Sequence, residues 1–353
     1  MTVHAVLPDG IDDPAQPSGG NVYDRHVCAG LASLGWSVHE HPVRGFWQRP
    51  RAASFAALAG VVERIPDDAV VLLDGLVAST APEVLVPQSR RLRLVVLVHL
   101  PLGRDPAHDG DNEARMREGA VLEAAAAVVT TSAWTRRRLL ELYQLPAGRV
   151  HVAEPAVDPA ALAPGTVGGG SLLCVAAVTF DKGHDVLLHA LAATTDLSWH
   201  CACVGSLDRD PAFVAGIRRR SLENRLGDRV SFTGARTGAD LDRRYAAADL
   251  MVLASRVETY GMVITEALAR GLPVVAAAVG GVQEALGHGA DGIRPGLLVA
   301  PDDPAALGAV LRAWLGDAEL RGRLRRAAGE RRESLPEWST TTSLLARVLA
   351  DAP

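Results

Sequence analysis

One continuous stretch of this chain, residues 256–281, has the pattern of a loop, a helix and a strand that follow one another without interruption. The apolar run at residues 250–254 before it is typical of a buried strand, and residues 262–270 have helical character up to Gly271. Residues 272–278 form the next apolar run. Such an order predicts a parallel sheet, and the loops after parallel strands lie at the edge where open α/β sheets bind ligands.

Two glutamates lie on either side of the predicted start of this helix. Glu258 is in the loop, and Glu266 is eight positions further on, about two turns into the helix. Carboxylates accept hydrogen bonds from neighbouring hydroxyls, which a sugar or a ribose offers. The N–H groups of Tyr260, Gly261 and Met262 at the helix start are placed to bind an anion. The pattern predicts a ligand with hydroxyls and phosphates, whereas two solvated surface glutamates are the alternative for the pair taken alone.

A single lysine stands among the 36 Lys and Arg residues of the chain. Lys182 follows an apolar run that ends at residue 178 and precedes a predicted helix at residues 185–193. A strand-to-helix turn with Lys182 and Gly183 predicts a phosphate site, and an exposed lysine on a turn is the alternative. A unit charge about 4 Å away is worth roughly 4 kcal/mol at an effective dielectric near 20. A helix terminus contributes about 0.3–1 kcal/mol, so the lysine would be the main counter-charge.

These elements together resemble the retaining glycosyltransferases of family four, the glycogen-synthase-like group with the GT-B fold. The family pattern is Glu-x7-Glu, then Gly-x-Pro-Val-Val, then a Gly-Gly loop, and Glu258, Glu266, residues 271–275 and residues 280–281 match it in order. The resemblance implies that Glu258 contacts the donor sugar, Glu266 the ribose of the nucleotide and Lys182 the diphosphate. It covers the second half of the chain well and the first half more loosely.

The fold class that this resemblance implies is α/β GT-B: two Rossmann-like domains that face each other across a cleft, with a C-terminal helix that crosses back onto the first domain. Alternating apolar and helical segments in both halves predict parallel sheets without reference to any family. The Pro- and Gly-rich residues 159–170 predict a linker between the domains. We therefore expect an acceptor-binding domain of residues 1–158 plus 336–353 and a nucleotide-sugar-binding domain of residues 171–335.

Short β-like runs predict six strands in each half. They are residues 3–7, 37–41, 69–73, 92–99, 127–131 and 149–153, followed by residues 172–178, 199–204, 229–233, 250–254, 272–278 and 296–299. Residues 304–332 have helical character, and residues 338–349 predict a last helix after the break at Pro336.

One position departs from the family. Its members usually carry an arginine five or six residues before the diphosphate lysine, where this chain has Ala176 and Ala177. Either another arginine completes the phosphate clamp, with Arg256 the nearest candidate by sequence, or the leaving group is stabilised less strongly.

Further site residues are implied by the resemblance. The family has a Gly-Gly loop after its first strand, which assigns Gly19 and Gly20 to the substrate site. A histidine often ends a later strand beside the transferred sugar, which gives His99 a substrate-positioning role, with a structural histidine as the alternative. Independently of the resemblance, Gly205 and Arg236 follow two neighbouring predicted strands, and we expect these segments to lie against the nucleotide base through backbone contacts.

Composition excludes several other classes of function. The net charge of −5 gives no case for nucleic-acid binding. Four scattered cysteines are too few for a disulfide scaffold, and residues 200–203 alternate like a strand rather than forming a zinc site. Residues 208–210 predict a polar loop, so we expect no metal. No apolar run reaches the length of a membrane span and no signal segment is evident, which predicts a soluble, cytoplasmic protein without membrane association.

The resemblance implies a transfer reaction that needs no cofactor beyond its co-substrate. A sugar would pass from a nucleotide-diphospho-sugar, with a UDP-sugar favoured, to a hydroxyl of a small-molecule or glycan acceptor, and the anomeric configuration would be retained. Three alternatives stay open at this point. They are a non-catalytic nucleotide-sugar-binding protein, a nucleotide-sugar epimerase of the same fold, and a pyridoxal-phosphate enzyme with Lys182 as its Schiff base.

Overall fold

A computed structural model describes residues 1–103 and 109–352 of the chain. Its contacts divide the chain into two compact units. The first consists of Met1–Asp12, Gly20–Pro155 and Pro336–Pro353, and the second of Asp13–Gly19 and Ala156–Leu335.

The units differ from the predicted domains at two places, because residues 13–19 and the expected linker both pack with the second unit. The side chain of Arg209 donates hydrogen bonds to the carbonyl oxygens of Gln16 and Pro17. In the expected linker, the Thr166 hydroxyl donates to Asp249 at 2.6 Å, and Arg332 donates to the carbonyl of Ala160 at 2.8 Å.

Each unit contains one parallel sheet of six strands. The strands are β1 (Thr2–Pro8), β2 (Ser37–Val43), β3 (Val70–Asp74), β4 (Arg93–Val98), β5 (Ala127–Thr130), β6 (Val150–Val152), β7 (Ser171–Val175), β8 (His200–Val204), β9 (Val230–Phe232), β10 (Leu250–Leu253), β11 (Val274–Ala277) and β12 (Gly296–Val299). The strand order is β2-β1-β3-β4-β5-β6 in the first sheet and β12-β11-β10-β7-β8-β9 in the second. All twelve predicted strands are therefore present.

Helices connect the strands, as parallel pairing requires. They are α1 (Gly19–Ser33), α2 (Ala52–Val62), α3 (Gly75–Ala78), α4 (Pro82–Leu85), α5 (Asp109–Ala124), α6 (Ala133–Tyr143), α7 (His184–Ala192), α8 (Pro211–Glu223), α9 (Gly238–Ala246), α10 (Met262–Ala269), α11 (Val282–Leu286), α12 (Pro304–Gly316), α13 (Ala318–Arg332) and α14 (Trp338–Asp351). Short 3₁₀ segments occur at Val86–Arg90, Ala147–Arg149 and Phe180–Lys182. No helix among the described residues combines the length and the apolar character needed to cross a membrane.

The strand bounds lie within two residues of the sequence prediction except at β7. This strand ends at Val175 instead of residue 178, because the backbone turns tightly where Thr179 N–H donates to the Ala177 carbonyl at 2.9 Å. The helical segments predicted at residues 304–332 are α12 and α13, and the Asp317 side chain accepts a hydrogen bond from Leu320 N–H and caps α13.

Both sheets are buried on their two faces, which accounts for the Val-, Leu- and Ala-rich strands. In the second unit, buried Trp314 donates its indole N–H to the Gly169 carbonyl at 2.8 Å. In the first unit, the C-terminal helix α14 is fixed by stacking of Trp338 on His26 at 4.1 Å and by a bond from the Thr341 hydroxyl to the Glu154 carbonyl at 2.7 Å. The last helix thus contributes to the first unit.

Candidate active site

A turn and a loop from two neighbouring strands meet in the second unit. Strands β7 and β10 lie side by side, so the 3₁₀ turn Phe180–Lys182 that follows β7 comes next to the loop after β10. The Arg256 N–H donates to the Asp181 carbonyl at 2.8 Å. Gly183 has φ +64°, and a Cβ there would lie 1.9 Å from the Ala254 carbonyl oxygen. Only glycine allows so close an approach of the two backbones.

This contact brings together the predicted lysine and the first predicted glutamate. Lys182 Nζ donates to Glu258 Oε1 at 2.6 Å, although the residues lie 76 positions apart in the chain. The Ser255 hydroxyl donates to the same carboxylate oxygen at 2.9 Å. The lysine side chain is 28% exposed and the glutamate side chain 9%. The two opposite charges therefore form one partly buried ion pair that solvent still reaches from the lysine side.

The Gly-Gly loop of the sequence pattern, residues 280–281, packs against the backbone of Glu258 and Thr259. Gly281 N–H donates to the Glu258 carbonyl at 3.3 Å. A Cβ on Gly280, where φ is +54°, would lie 1.6 Å from that same oxygen, and a Cβ on Gly281 would lie 2.2 Å from the Thr259 carbonyl. The two glycines are needed because any side chain would push the loop away.

Helix α10 begins beside this ion pair. Gly261 has φ +94° and directly precedes Met262, the first residue of the helix. The first N–H groups of a helix have no intrahelical partners and carry the positive end of its dipole. The Tyr260 side chain is 2% exposed and packs in the apolar core, so this residue presents its backbone to the site.

The second predicted glutamate lies apart from the ion pair. Glu266 Oε2 accepts a hydrogen bond from the Tyr245 hydroxyl at 2.6 Å, and Arg270 lies 4.4 Å above the Tyr245 ring. Burial raises the pKa of Glu266 above its ordinary value, although the hydrogen bond from Tyr245 acts in the opposite direction. Tyr245 was not predicted, because nothing in the sequence around it indicates a partner 21 positions further on.

Arg256 is engaged away from the lysine. Its Nη1 and Nη2 each lie 2.9 Å from the Asp185 carboxylate, and its Nε lies 2.7 Å from Asp302 Oδ1. Its guanidinium also stacks on the Phe180 ring at 3.9 Å. A guanidinium held by two carboxylates and a ring has little capacity left for a phosphate.

Two other predicted residues lie on the neighbouring strand ends. A Cβ on Gly205 would come within 1.9 Å of the Ala176 carbonyl, so this glycine is required by backbone packing. Gly205 N–H donates to the Gly234 carbonyl at 3.1 Å. Arg236 is exposed, and its Nη1 donates to the carbonyl of the preceding residue at 2.7 Å. In the polar loop, Asp210 caps α8 through a bond from Phe213 N–H at 3.0 Å.

In the first unit, His99 follows β4 and lies against the start of α1. A Cβ on Gly20 would lie 3.1 Å from His99 Cδ2, so this glycine lets the helix start close to the ring. His99 Nε2 lies 2.8 Å from Asp24 Oδ1 and 3.8 Å from Asp74 Oδ2. Gly19 belongs to the second unit instead, where a Cβ would lie 3.2 Å from Met262 Sδ.

The two aspartates around His99 were not predicted. Asp74 is the last residue of β3, and its Oδ1 also accepts the N–H groups of Leu76 and Val77 at the start of α3. Burial and the nearby Asp24 raise the pKa of Asp74 to about 7. Burial alone would lower the pKa of His99, but the Asp24 and Asp74 carboxylates outweigh it and raise that pKa. A polar residue at the end of an apolar strand was the one available signal for Asp74.

The comparisons with known proteins agree with the second unit's geometry. Residues 168–331 match the family described as glycosyl transferases group 1. This part of the chain belongs to that family. The match confirms the resemblance to the family-four glycosyltransferases that was inferred from the sequence.

Curated relatives carry the similarity into the first unit. A D-inositol 3-phosphate glycosyltransferase from Catenulispora acidiphila is 33% identical over 277 residues, which are 69% of this chain and 65% of the relative. One from Thermobispora bispora is 32% identical over 67% of this chain and 58% of the relative. The chain thus spans less than two thirds of the length of these relatives.

Solved structures establish the fold of the chain. Sucrose-phosphate synthase from Thermosynechococcus elongatus matches 99% of this chain and 98% of its own, with a TM-score of 0.79 and 24% identity. HepE from Anabaena, solved with UDP and glucose, matches 99% of both chains with a TM-score of 0.78 and 19% identity. The fold is α/β GT-B, as predicted.

Proposed function

We propose that the chain transfers a sugar from a nucleotide-diphospho-sugar to a hydroxyl of a small-molecule or glycan acceptor, with retention of the anomeric configuration. The observation that carries this proposal is the ion pair between Lys182 and Glu258, which lies at the start of α10 within the group 1 region. A donor of this class has a diphosphate next to a polyhydroxylated ring. The lysine cation is complementary to the diphosphate, and the adjacent carboxylate is complementary to the ring hydroxyls.

Donor binding would rearrange the ion pair. The Lys182 ammonium has three N–H donors, one of which points at Glu258. A diphosphate oxygen offers the lysine a stronger partner with two negative charges, together with the N–H groups at the start of α10. Glu258 Oε1 would then be released to accept hydrogen bonds from the sugar hydroxyls, while Ser255 keeps the carboxylate in place. Glu266 would accept bonds from the ribose hydroxyls.

The reaction we propose breaks the bond between the anomeric carbon and the phosphate oxygen and forms a bond from that carbon to the acceptor oxygen on the same face. The departing phosphate oxygen takes the proton of the acceptor hydroxyl. Lys182 and the helix N–H groups stabilise the negative charge that develops on the phosphate, so no metal and no cofactor are required. Glu258, already hydrogen-bonded by Lys182 and Ser255, stabilises the oxocarbenium-like sugar rather than attacking it.

The donor and the acceptor are proposed by class. HepE was solved with UDP-glucose, which favours a UDP-sugar as the first donor to try. The curated relatives are named for D-inositol 3-phosphate, which favours polyols that carry a phosphate among the acceptors. These choices set the starting conditions of the test.

The test is a transfer assay with UDP-, GDP- and ADP-glucose against a panel of polyol and sugar acceptors, with and without EDTA. We expect release of nucleoside diphosphate that depends on the acceptor, and a product whose anomeric proton coupling in NMR matches that of the donor. A product of inverted configuration would contradict retention. Tight donor binding without turnover over the whole panel would instead identify a non-catalytic nucleotide-sugar-binding protein, and a donor epimerised without acceptor would identify an epimerase.

A further inference from the structure

Three ionisable side chains from separate elements come together within the first unit. They are Asp24 on α1, Asp74 at the end of β3 and His99 after β4. One nitrogen or oxygen atom of each lies within 4.8 Å of the others. The Asp24 and Asp74 side chains are 2% and 6% exposed, and the His99 side chain is 18% exposed. His99 is therefore the member of this cluster that solvent or a ligand reaches.

The groups around the cluster leave its charges unbalanced. Helix α1 contributes Tyr23 and Cys28 besides Asp24, and both of these are neutral at ordinary pH because burial raises their pKa values. The cation next to Asp24 on α1, Arg25, forms ion pairs with Asp12 and Glu40 instead. From α3 come only N–H groups, which bond to Asp74 Oδ1. Among the described residues, two buried carboxyl groups thus face one histidine, and a second positive charge is required, either a proton or a metal ion.

The distances favour a proton over a metal ion. His99 Nε2 lies 2.8 Å from Asp24 Oδ1, which is a direct hydrogen bond with the proton between the two atoms. A metal ion would remove that proton and separate the two atoms, since each would bind it at about 2.0–2.2 Å. Asp24 Oδ2 is buried and has no hydrogen-bond partner among the described residues. This oxygen is available for a proton shared with Asp74, whose Oδ2 is the oxygen turned toward His99.

We propose that Asp24 and Asp74 share one proton and thereby hold His99 as an imidazolium, a hydrogen-bond donor toward a hydroxyl of a substrate bound to the first unit. His99 then cannot serve as a general base, because both of its ring nitrogens are protonated. Asp24 and Asp74 are positioning residues that act through the histidine. The substrate part of this proposal rests on the proposed sugar transfer, whereas the protonation state of His99 does not.

Two matched substitutions separate the roles of the aspartates. Asn at position 74 accepts the same N–H groups and resembles the neutral carboxylic acid, so Asp74→Asn should leave His99 charged at about pH 7. Asp24→Asn removes the negative charge that faces His99 Nε2, so the histidine should become neutral at about pH 7. Glu83→Gln, which alters an exposed ion pair with Arg117 in the same unit, serves as the control for both.

The first measurement is the ¹⁵N NMR spectrum of histidine-labelled protein between about pH 5 and pH 9, with the His99 signals assigned from a His99→Gln variant. We expect imidazolium shifts for His99 to persist above its ordinary pKa of 6.5 in the wild type, and a lower midpoint in Asp24→Asn. A neutral His99 at about pH 6.5 in the wild type, or equal spectra for the two aspartate variants, would overturn the proposal. Binding of one Zn²⁺ or Mn²⁺ per chain, abolished by Asp24→Asn, would overturn it in favour of a metal site.

The second measurement is kcat/KM against pH for the transfer reaction. We expect Asp24→Asn to lose about tenfold or more at pH 8 and to regain most of that loss at pH 6, where His99 protonates without help. Circular dichroism at both pH values shows whether the variant is folded. A loss that is the same at every pH indicates a merely structural role and contradicts the inference. If the chain transfers no sugar, the NMR titration still decides the protonation of His99, so the two proposals fail separately.

Discussion

The two units hold their charged side chains in opposite ways. In the second unit, Lys182 and Glu258 carry opposite charges and cancel each other at 2.6 Å. In the first unit, two acids surround one histidine, and neutrality there requires an added proton. The second arrangement changes its charge within the neutral pH range, because the pKa of Asp74 is raised to about 7. Sensitivity to pH is therefore expected from the first unit.

The backbones of the two sites also differ. Around Glu258, three glycines allow main chains to approach so closely that a Cβ would fall within 2.2 Å of a carbonyl oxygen, at Gly183, Gly280 and Gly281. Around His99, a Cβ on Gly75 would lie 2.6 Å from the Leu97 carbonyl oxygen, and one on Gly20 would lie 3.1 Å from the ring itself. Backbone packing is therefore closest around Glu258, while His99 is also held by its carboxylate partners.

The largest effect is expected from Lys182→Arg, which tests whether the ion pair needs a compact ammonium. A planar guanidinium cannot place the same charge between Glu258 and a diphosphate, so we expect kcat/KM to fall by about 100-fold or more. The measurement is the transfer assay at saturating acceptor. Arg312→Lys, an exchange of the same kind at an exposed ion pair with Asp196, is the control and should leave the rate unchanged. Near wild-type turnover in Lys182→Arg would remove the special role of the lysine.

Gly280→Ala tests the backbone part of the comparison. The added Cβ would lie 1.6 Å from the Glu258 carbonyl at a φ of +54°, so the loop must move or the backbone must become strained. We expect the free energy of unfolding to fall by about 2 kcal/mol, measured by urea denaturation. The control is Gly216→Ala inside α8, where nothing lies within 4 Å of the new Cβ and helix propensity predicts a gain of about 0.5–1 kcal/mol. Equal effects of the two changes would show that the close approach is unimportant.

Glu266→Gln tests whether the second glutamate contributes to donor binding and not to the chemical step. It keeps the shape and the contact with Tyr245 but weakens hydrogen bonds from ribose hydroxyls, so KM for the donor should rise about tenfold with little change in kcat. Because burial raises the pKa of Glu266, the wild type should also bind the donor more tightly as the pH rises through that pKa, and the variant should not. Glu223→Gln, on the exposed side of α8, is the control. A fall in kcat at constant KM would place Glu266 in the chemical step instead.

The smallest effect concerns the stability of the first unit against pH. The folded-state pKa of Asp74 lies above its ordinary value of 3.8, so its contribution to stability is fully present below that value and is lost as the pH rises toward about 7. His99 acts in the same direction, since its raised pKa favours folding below the ordinary value of 6.5 and this contribution is lost at higher pH. Asp74→Asn removes the first contribution.

The Asp74→Asn variant should therefore lose less stability than the wild type between about pH 5 and pH 8, with a difference of about 1 kcal/mol or 2–4 °C in Tm. Thermal unfolding followed by circular dichroism at the two pH values measures it. Asp196→Asn at the exposed ion pair of the second unit is the matched substitution there. An identical pH dependence in Asp74→Asn and the wild type would show that Asp74 is ionised throughout.

Much of the fold could be predicted from the sequence because its signals are local. Each of the twelve strands coincides with a predicted β-like run, and α10 ends at Ala269, two residues before Gly271. The boundaries that were missed depend on contacts between elements. The turn after β7, for example, is set by hydrogen bonds to the neighbouring strand and to Ala177. The packing of residues 13–19 with the second unit depends on Arg209, nearly 200 positions away.

The candidate site was predicted in part for the same reason. Glu258, Gly261 and the Gly-Gly loop lie in one contiguous pattern, so their proximity follows from the chain itself. Glu266 lies in that pattern too, yet its partner is Tyr245. Arg256 was the nearest arginine in sequence, but Asp185 and Asp302 hold its guanidinium. Sequence distance does not indicate which of several charged groups a side chain finally meets.

The sequence by itself determined the alternation of strands and helices, the glycines at the turns and the position of Lys182 at a strand-to-helix turn. These features depend on local periodicity and on backbone freedom. Only the tertiary structure decided the charge partners: Lys182 with Glu258, and His99 with Asp24 and Asp74. These groups come from distant parts of the chain. They meet because parallel strands place their carboxyl ends at one edge of each sheet, and burial there makes every unpaired charge costly.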